Sequence, residues 1–344
     1  MHHPYRGLEE RAFWRASVGS RHFADIVNLW DPLPIGLEDE VATAGSCFAQ
    51  HIGRNLQARG ASYMDVEAAP VAFSDADEAR RWGFGVFSAR YGNIYTSRQL
   101  LQLFMEAHGE RRPDEVVWEK DGRFYDALRP SVDPIGQESA DDVIELRRAH
   151  LAAVRKMFRE LDVFVFTLGL TEGWEAVSDG TMYPVAPGTA AGQYDRRKYR
   201  FRNLRYSQVM QDLREFWRML KEVNPGARML LTVSPVPLAA TASGEHVLVA
   251  TTYSKSVLRA VAGDLTTEEE DIYYFPSYEI ITAPATHGVF YDPDLRNVNQ
   301  FGVDVVMDHF FSGPIGEVFG DTTPVADDGE LICDEGKLDT SQAV

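Results

Sequence analysis

Two short runs, Val163-Phe164-Val165-Phe166 and Met229-Leu230-Leu231-Thr232-Val233, are apolar or β-branched at every position. A strand with no polar alternate must be covered on both faces, as parallel strands are when they lie between two layers of helices. The intervening segments have the matching period. Leu146, Ala149, Ala153, Met157 and Leu161 mark one amphipathic helix. Val209, Leu213, Phe216, Leu220 and Val223 mark another, stopped by Asn224-Pro225-Gly226. With Glu40–Thr43, Ala61–Val66, Val163–Leu170, Arg228–Ser234 and Asp271–Ile281, five β-rich runs alternate with helical patterns. This predicts a doubly wound three-layer α/β/α sandwich on a mainly parallel, five-stranded sheet. Ligands of such sheets bind beyond the carboxyl ends of the strands. The stretch 67–145 breaks the rhythm and reads as an insertion over that edge, leaving residues 1–315 as one domain. Segment 316–344 holds eight acidic residues against the single Lys337 and reads as a flexible acidic tail.

One turn stands out for chemistry. Val41-Ala42-Thr43-Ala44-Gly45 is β-prone and small, and Phe48, Ile52 and Leu56 then recur every four residues, as on a buried helix face. Ser46 and Cys47 therefore fall at a strand-to-helix turn. Backbone N–H groups there lack intrahelical partners, and the helix dipole favours developing negative charge. Such a turn suits a nucleophile beside part of its oxyanion hole. A plain helix-capping serine fits the same position.

Gly45-Ser46-Cys47-Phe48-Ala49 spells the signature of the GSCFA family, and further stretches carry the resemblance from about residue 40 to 312. These are Phe87–Thr96, Thr167–Trp174, Thr232–Pro237 and Tyr274–Glu279. The family is similar to SGNH/GDSL-type esterases and acyltransferases. That likeness implies an SGNH/flavodoxin-like sandwich and a Ser nucleophile at Ser46. It also implies oxyanion donors from a Gly N–H and an Asn side chain. Gly92-Asn93 lies where the second block of such enzymes belongs. Gly169-Leu170-Thr171-Glu172 has the length of the third, Gly-x-Asn-Asp, with Thr171 for Asn and Glu172 for Asp. A Thr hydroxyl can still donate one hydrogen bond.

The last block departs from the pattern. SGNH enzymes carry Asp-x-x-His, with His as base and Asp as its orienter. The matching stretch here is Asp294-Leu295-Arg296-Asn297, and Asn297 cannot take up a proton near neutral pH. His287 and His246 are the substitute bases, with Asp294 or Glu172 as orienters; His51, five residues after Ser46, reads as structural. Cys47 competes with Ser46, because a thiol at a helix N-terminus ionises more readily and needs less help from a base. Segment 194–206 gathers six basic residues among aromatics. It suggests a strand pair or lid whose Arg196 and Arg200 meet an anionic ligand, or a solvated face balancing local acid.

A net charge of −18 argues against nucleic-acid and anionic-membrane partners. Cys47 and Cys333, the two cysteines, imply no disulfide framework. The N-terminal residues lack the build of a secretory leader, and no apolar run reaches membrane-spanning length, so a cytoplasmic protein is expected. No metal or cofactor motif is present. The expected activity is that of an SGNH-like esterase or O-acyltransferase acting on a carbohydrate or small acyl ester. The alternative is a non-catalytic descendant binding an anionic glycan or nucleotide-linked ligand.

Overall fold

The computed structural model describes residues 3–73, 75–312, 314–319, 332 and 334. In chain order, β1 (Val41–Gly45) leads into α1 (Ala49–Ala58), followed by α2 (Ala76–Arg81), α3 (Ser97–Ala107) and the hairpin β2 (Val117–Lys120) and β3 (Arg123–Asp126). Then come α4 (Ala140–Glu160), β4 (Val163–Leu168), β5 (Glu172–Ala176), β6 (Met182–Tyr183), β7 (Tyr199–Asn203), α5 (Tyr206–Val223) and β8 (Arg228–Val233). The chain continues with α6 (Val247–Glu268), β9 (Ile272–Phe275), α7 (Ser277–Thr282), α8 (Gln300–Phe310) and α9 (Pro314–Phe319).

The central sheet is parallel and four-stranded, in the order β1-β4-β8-β9. Ala42, Ala44, Phe164, Phe166, Leu168, Met229 and Leu231 face α3, α4, α5 and α6. Val41, Val163, Val165, Leu230 and Phe275 face α1, α7 and α8. Both faces are therefore covered, which is why these strands are apolar without alternation. Phe104, Phe158 and Phe164 converge on Phe216, with ring centroids 5.5, 5.6 and 5.7 Å away.

Three departures from the sequence expectation have physical reasons. The expected strand Ala61–Val66 makes only an isolated parallel bridge, Tyr63 with Val41, at the free edge of β1, so a fifth full strand does not form. The run Asp271–Ile281 is split, because β9 ends at Pro276, which lacks an N–H for the ladder, and α7 follows. The buried stripe of α4 is Val143, Arg147, His150, Val154, Met157 and Phe158, while Leu146 and Ala149 are exposed.

Within the expected insertion 67–145, α3 joins the helical layer, opened by a capping box between Thr96 and Gln99. The hairpin β2–β3 packs Trp118 with Tyr183 and Tyr199 of the small antiparallel sheet β6-β5-β7. Most of the expected acidic tail lies outside the described residues. Of the part described, 316–319 complete the helix Pro314–Phe319, and Ile332 and Asp334 lie against the domain. No helix among the described residues is long and apolar enough to cross a membrane.

Candidate functional site

The chain leaves β1 at a position only glycine fits. Gly45 has φ +136°, and a Cβ there would lie 2.4 Å from the Thr167 carbonyl oxygen and 2.8 Å from its nitrogen. This close crossing onto β4 turns Ser46 and Cys47 over the carboxyl edge of the sheet, where the Ser46 N–H donates to the Thr167 carbonyl at 3.2 Å. Both residues are buried, and the Ser46 hydroxyl has no hydrogen-bond partner among the described residues. Ser46 does not cap α1 through its side chain; its carbonyl accepts from Ala49 N–H instead. An unsatisfied buried hydroxyl at a helix start is costly to the fold. That makes it the feature most in need of a functional account.

Asn93 lies beside this turn. The Ile94 N–H donates to the Gly45 carbonyl at 2.8 Å, stitching the Gly92-Asn93 segment to the end of β1. The Asn93 side chain is buried, and its amide nitrogen points into the site.

A buried charge network holds this segment from below. Glu67 accepts from Arg90 N–H (2.7 Å) and from His150 Nδ1 (2.6 Å), and Arg129 donates to the Arg90 carbonyl. Asp126 accepts from Arg129 and Arg147, and Arg147 reaches on to Glu106. Burial, reinforced by the neighbouring Arg129, pushes His150 down to about 4. Burial alone would raise Glu67, but the hydrogen bond and charge of His150, with Arg129, outweigh it and hold this carboxyl below its ordinary range. Both groups take up fewer protons folded than unfolded, so stability increases with pH across their range. It should be lost progressively as pH falls from the ordinary histidine value of 6.5 through about 4, with the carboxylates extending the loss below that. Urea unfolding at a series of pH values checks this, and His150→Gln should flatten the 4–6.5 portion.

The Gly169 block is present but engaged. Gly169 approaches so closely that a Cβ on it would be 3.1 Å from the Ser46 Cβ, which places it beside the β1–α1 turn. Its N–H, however, donates to the Tyr95 carbonyl at 3.2 Å, and its carbonyl accepts from the buried Lys255 Nζ at 2.8 Å. The Thr171 hydroxyl donates to Asn203 Oδ1 at 2.7 Å. Neither the Gly169 N–H nor the Thr171 hydroxyl is directed at Ser46. Of the expected oxyanion donors, Asn93 directs its amide nitrogen to the Ile332 carbonyl and the Asp334 carboxylate. Glu172 accepts from Thr241, and burial raises its pKa against that hydrogen bond. With Leu170, Trp174, Phe201 and Leu238 it lines a cavity of about 170 Å³.

Neither expected base hydrogen-bonds Ser46. His246 is an exposed N-cap of α6, its Nδ1 accepting from Leu248 N–H. His287 is exposed in the left-handed region, at φ +51°. Asp294 is turned on its own loop, accepting from the N–H groups of Arg296 and Asn297 and from the Asn297 side chain, and Asn297 is exposed. His51 is buried on α1 with its ring against Phe48.

The basic segment forms the expected strand pair, β7 against β5. Its charge is spent locally: Arg200 and Arg202 both donate to Glu175, and Arg197 donates to Asp195. Arg196 is exposed. Arg200 is thus paired with Glu175, as the alternative of a face balancing local acid expects, with its side chain still 46% exposed. No group of three or more metal-ligating side chains is gathered among the described residues.

The sequence model of the GSCFA family matches residues 40–310, which takes in the β1–α1 turn, the Asn93 segment, the Gly169 block and the sheet. The chain belongs to the GSCFA family. No curated protein matches it. Three residues of this GSCFA protein's site escaped the sequence reading: Lys255, Gln50 and Asp334. Lys255 had a signal, a lysine on the otherwise small and apolar stripe Ala250, Ser254, Val257, Leu258 of α6. Gln50 sits on the buried face of α1 beside Phe48 and Ile52, where an amide needs a partner.

Proposed function

We propose that this GSCFA protein is an ester hydrolase or O-acyltransferase of the SGNH kind, acting on a carbohydrate or small acyl ester. The observation that carries the reading is the buried Ser46 hydroxyl, without a hydrogen-bond partner among the described residues, at a glycine-dependent strand-to-helix turn beside the Asn93 amide. In this reading Ser46 attacks the acyl carbonyl, and the Asn93 side-chain amide holds the oxyanion. The cavity beside Leu170 supports a sugar acceptor: Trp174 and Phe201 offer aromatic faces, and Glu172 a hydrogen-bond acceptor for hydroxyls. No histidine among the described residues hydrogen-bonds Ser46, so Cys47, one residue further into the same turn and also buried, stays the second choice of nucleophile.

The test is hydrolysis of a short-chain aryl acetate by the purified protein. Turnover above buffer is expected, and Asn93→Ala should lower kcat by about 10²–10³-fold with little change in KM. A kcat unmoved in that variant would remove Asn93 from the oxyanion role. A binding protein without turnover is the second reading, favoured by the exposed Asn297 and the self-occupied Asp294 where a catalytic dyad belongs. It predicts no hydrolysis by any form of the protein.

A further inference from the structure

The Ser46 cleft holds part of the chain itself. The side-chain amide of Gln50 pairs with the backbone of Ile332 at both ends, donating to its carbonyl at 2.9 Å and accepting from its N–H at 3.3 Å. Asn93 Nδ2 donates to the same carbonyl and to Asp334 Oδ2, each at 3.0 Å. The Asp334 N–H donates to Tyr95 Oη at 3.1 Å. Gln50, Asn93, Tyr95 and Asp334 are each more than nine-tenths buried. Buried side chains that read a main-chain amide from both sides form a recognition surface for an extended peptide, as a neighbouring strand would.

We propose that Ile332 and Asp334 are the resident occupant of this cleft, an intramolecular acidic peptide ligand that closes the Ser46 site. The inference rests on the acyl-transfer reading for what closure prevents. The Asp334 carboxylate takes up the Asn93 amide that the chemistry requires for an oxyanion. Its other oxygen, like the Ser46 hydroxyl, has no partner among the described residues. A catalytic base would be hydrogen-bonded to Ser46, and Asp334 is not. Instead its backbone is held alongside its side chain, which is how a ligand is bound. Opening the site then requires this segment to leave, and apparent reactivity scales with the fraction of molecules in which it has left.

The experiment uses the full chain as wild type, Gln50→Ala, Asp334→Ala and Asp334→Asn, with two readouts. The first is hydrogen exchange of the Ile332 and Asp334 amides, which does not depend on chemistry at Ser46. Exchange at least about tenfold slower than in an unprotected chain is expected in wild type, with protection lost in Gln50→Ala and Asp334→Ala. The second is labelling of Ser46 by a fluorophosphonate probe, expected to be about tenfold faster in those two variants. A synthetic peptide spanning Leu331–Gly336 should slow the labelling of Asp334→Ala again. Unprotected amides in wild type would overturn the proposal whatever Ser46 does. Slower labelling in Asp334→Asn would also overturn it, by making Asp334 a base. Protected amides that the two alanine variants release, with Ser46 unlabelled in every form, would support the docking and count against the nucleophile reading alone.

Discussion

Ser46→Ala is expected to lower aryl-acetate turnover by roughly 10³-fold or more while leaving the fold intact. The two halves of that expectation have one cause. The Ser46 hydroxyl is buried and makes no hydrogen bond among the described residues, so its removal breaks nothing that holds the turn. Deleting an unsatisfied buried hydroxyl also relieves a desolvation penalty, of about 1–3 kcal/mol by general experience. The melting temperature of Ser46→Ala should therefore equal or exceed that of the wild type. A structural serine would behave in the opposite way, costing stability and leaving any activity in place. Cys47→Ala provides the contrast, with turnover retained to within a few fold. If Cys47→Ala is the silent variant and Ser46→Ala the active one, the nucleophile is the thiol.

Gly45→Ala should produce the largest loss of stability from a single methyl group. Two penalties add there. At φ +136° the backbone lies in a region that L side chains rarely adopt, and the new Cβ would meet main-chain atoms of Thr167 at 2.4–2.9 Å. Neither can relax cheaply, because Thr167 is paired in register with Gly45 and with Thr232 inside the parallel sheet. Backbone strain of this kind costs of order 1–3 kcal/mol, and the overlap comes on top of it, giving about 3 kcal/mol or more. A fall in Tm of at least roughly 5 °C is the expected reading. Gly60→Ala serves as control: it shares a positive φ, +75°, but has nothing within 4 Å of the new Cβ. It should cost about 1–2 kcal/mol, the strain alone. Equal losses in the two variants would contradict the steric account of the β1–β4 crossing.

The sandwich was legible where burial shows as hydrophobicity. β4 and β8 are apolar at almost every position because helices cover both faces, and α5 presents the buried row Val209, Leu213, Phe216 and Leu220 that its periodicity announces. Legibility failed where buried positions are charged. Arg147 and His150 occupy the core-facing stripe of α4, so the apolar pattern drifts toward the exposed Leu146 and Ala149. Their partners Asp126, Glu106 and Glu67 lie far off in sequence, and nothing local signals the pairing. The Ala61–Val66 run has strand composition, but whether it completes a ladder depends on tertiary placement, and it makes one bridge.

The site divides along the same line. The β1–α1 turn was readable because a strand, a glycine and a helix period are local features. The occupation of Gly169 N–H by Tyr95, of the Thr171 hydroxyl by Asn203 and of Arg200 by Glu175 was not, since each partner is chosen by the fold. Residue type placed Asn93 and Gly169 near Ser46. It could not say which of them keeps a donor aimed into the cleft. The docking of Ile332 and Asp334 was the least readable of all, because an acidic terminal segment carries the composition of a solvated tail.

Intact-mass analysis of the protein quenched during turnover of an aryl acetate tests the central claim most directly, run on wild type, Ser46→Ala and Cys47→Ala. The account predicts one acetyl group on wild type and Cys47→Ala, none on Ser46→Ala, and the adduct mapped by fragmentation to Ser46. Turnover in all three forms with no adduct on any, or an adduct that survives Ser46→Ala, would contradict it.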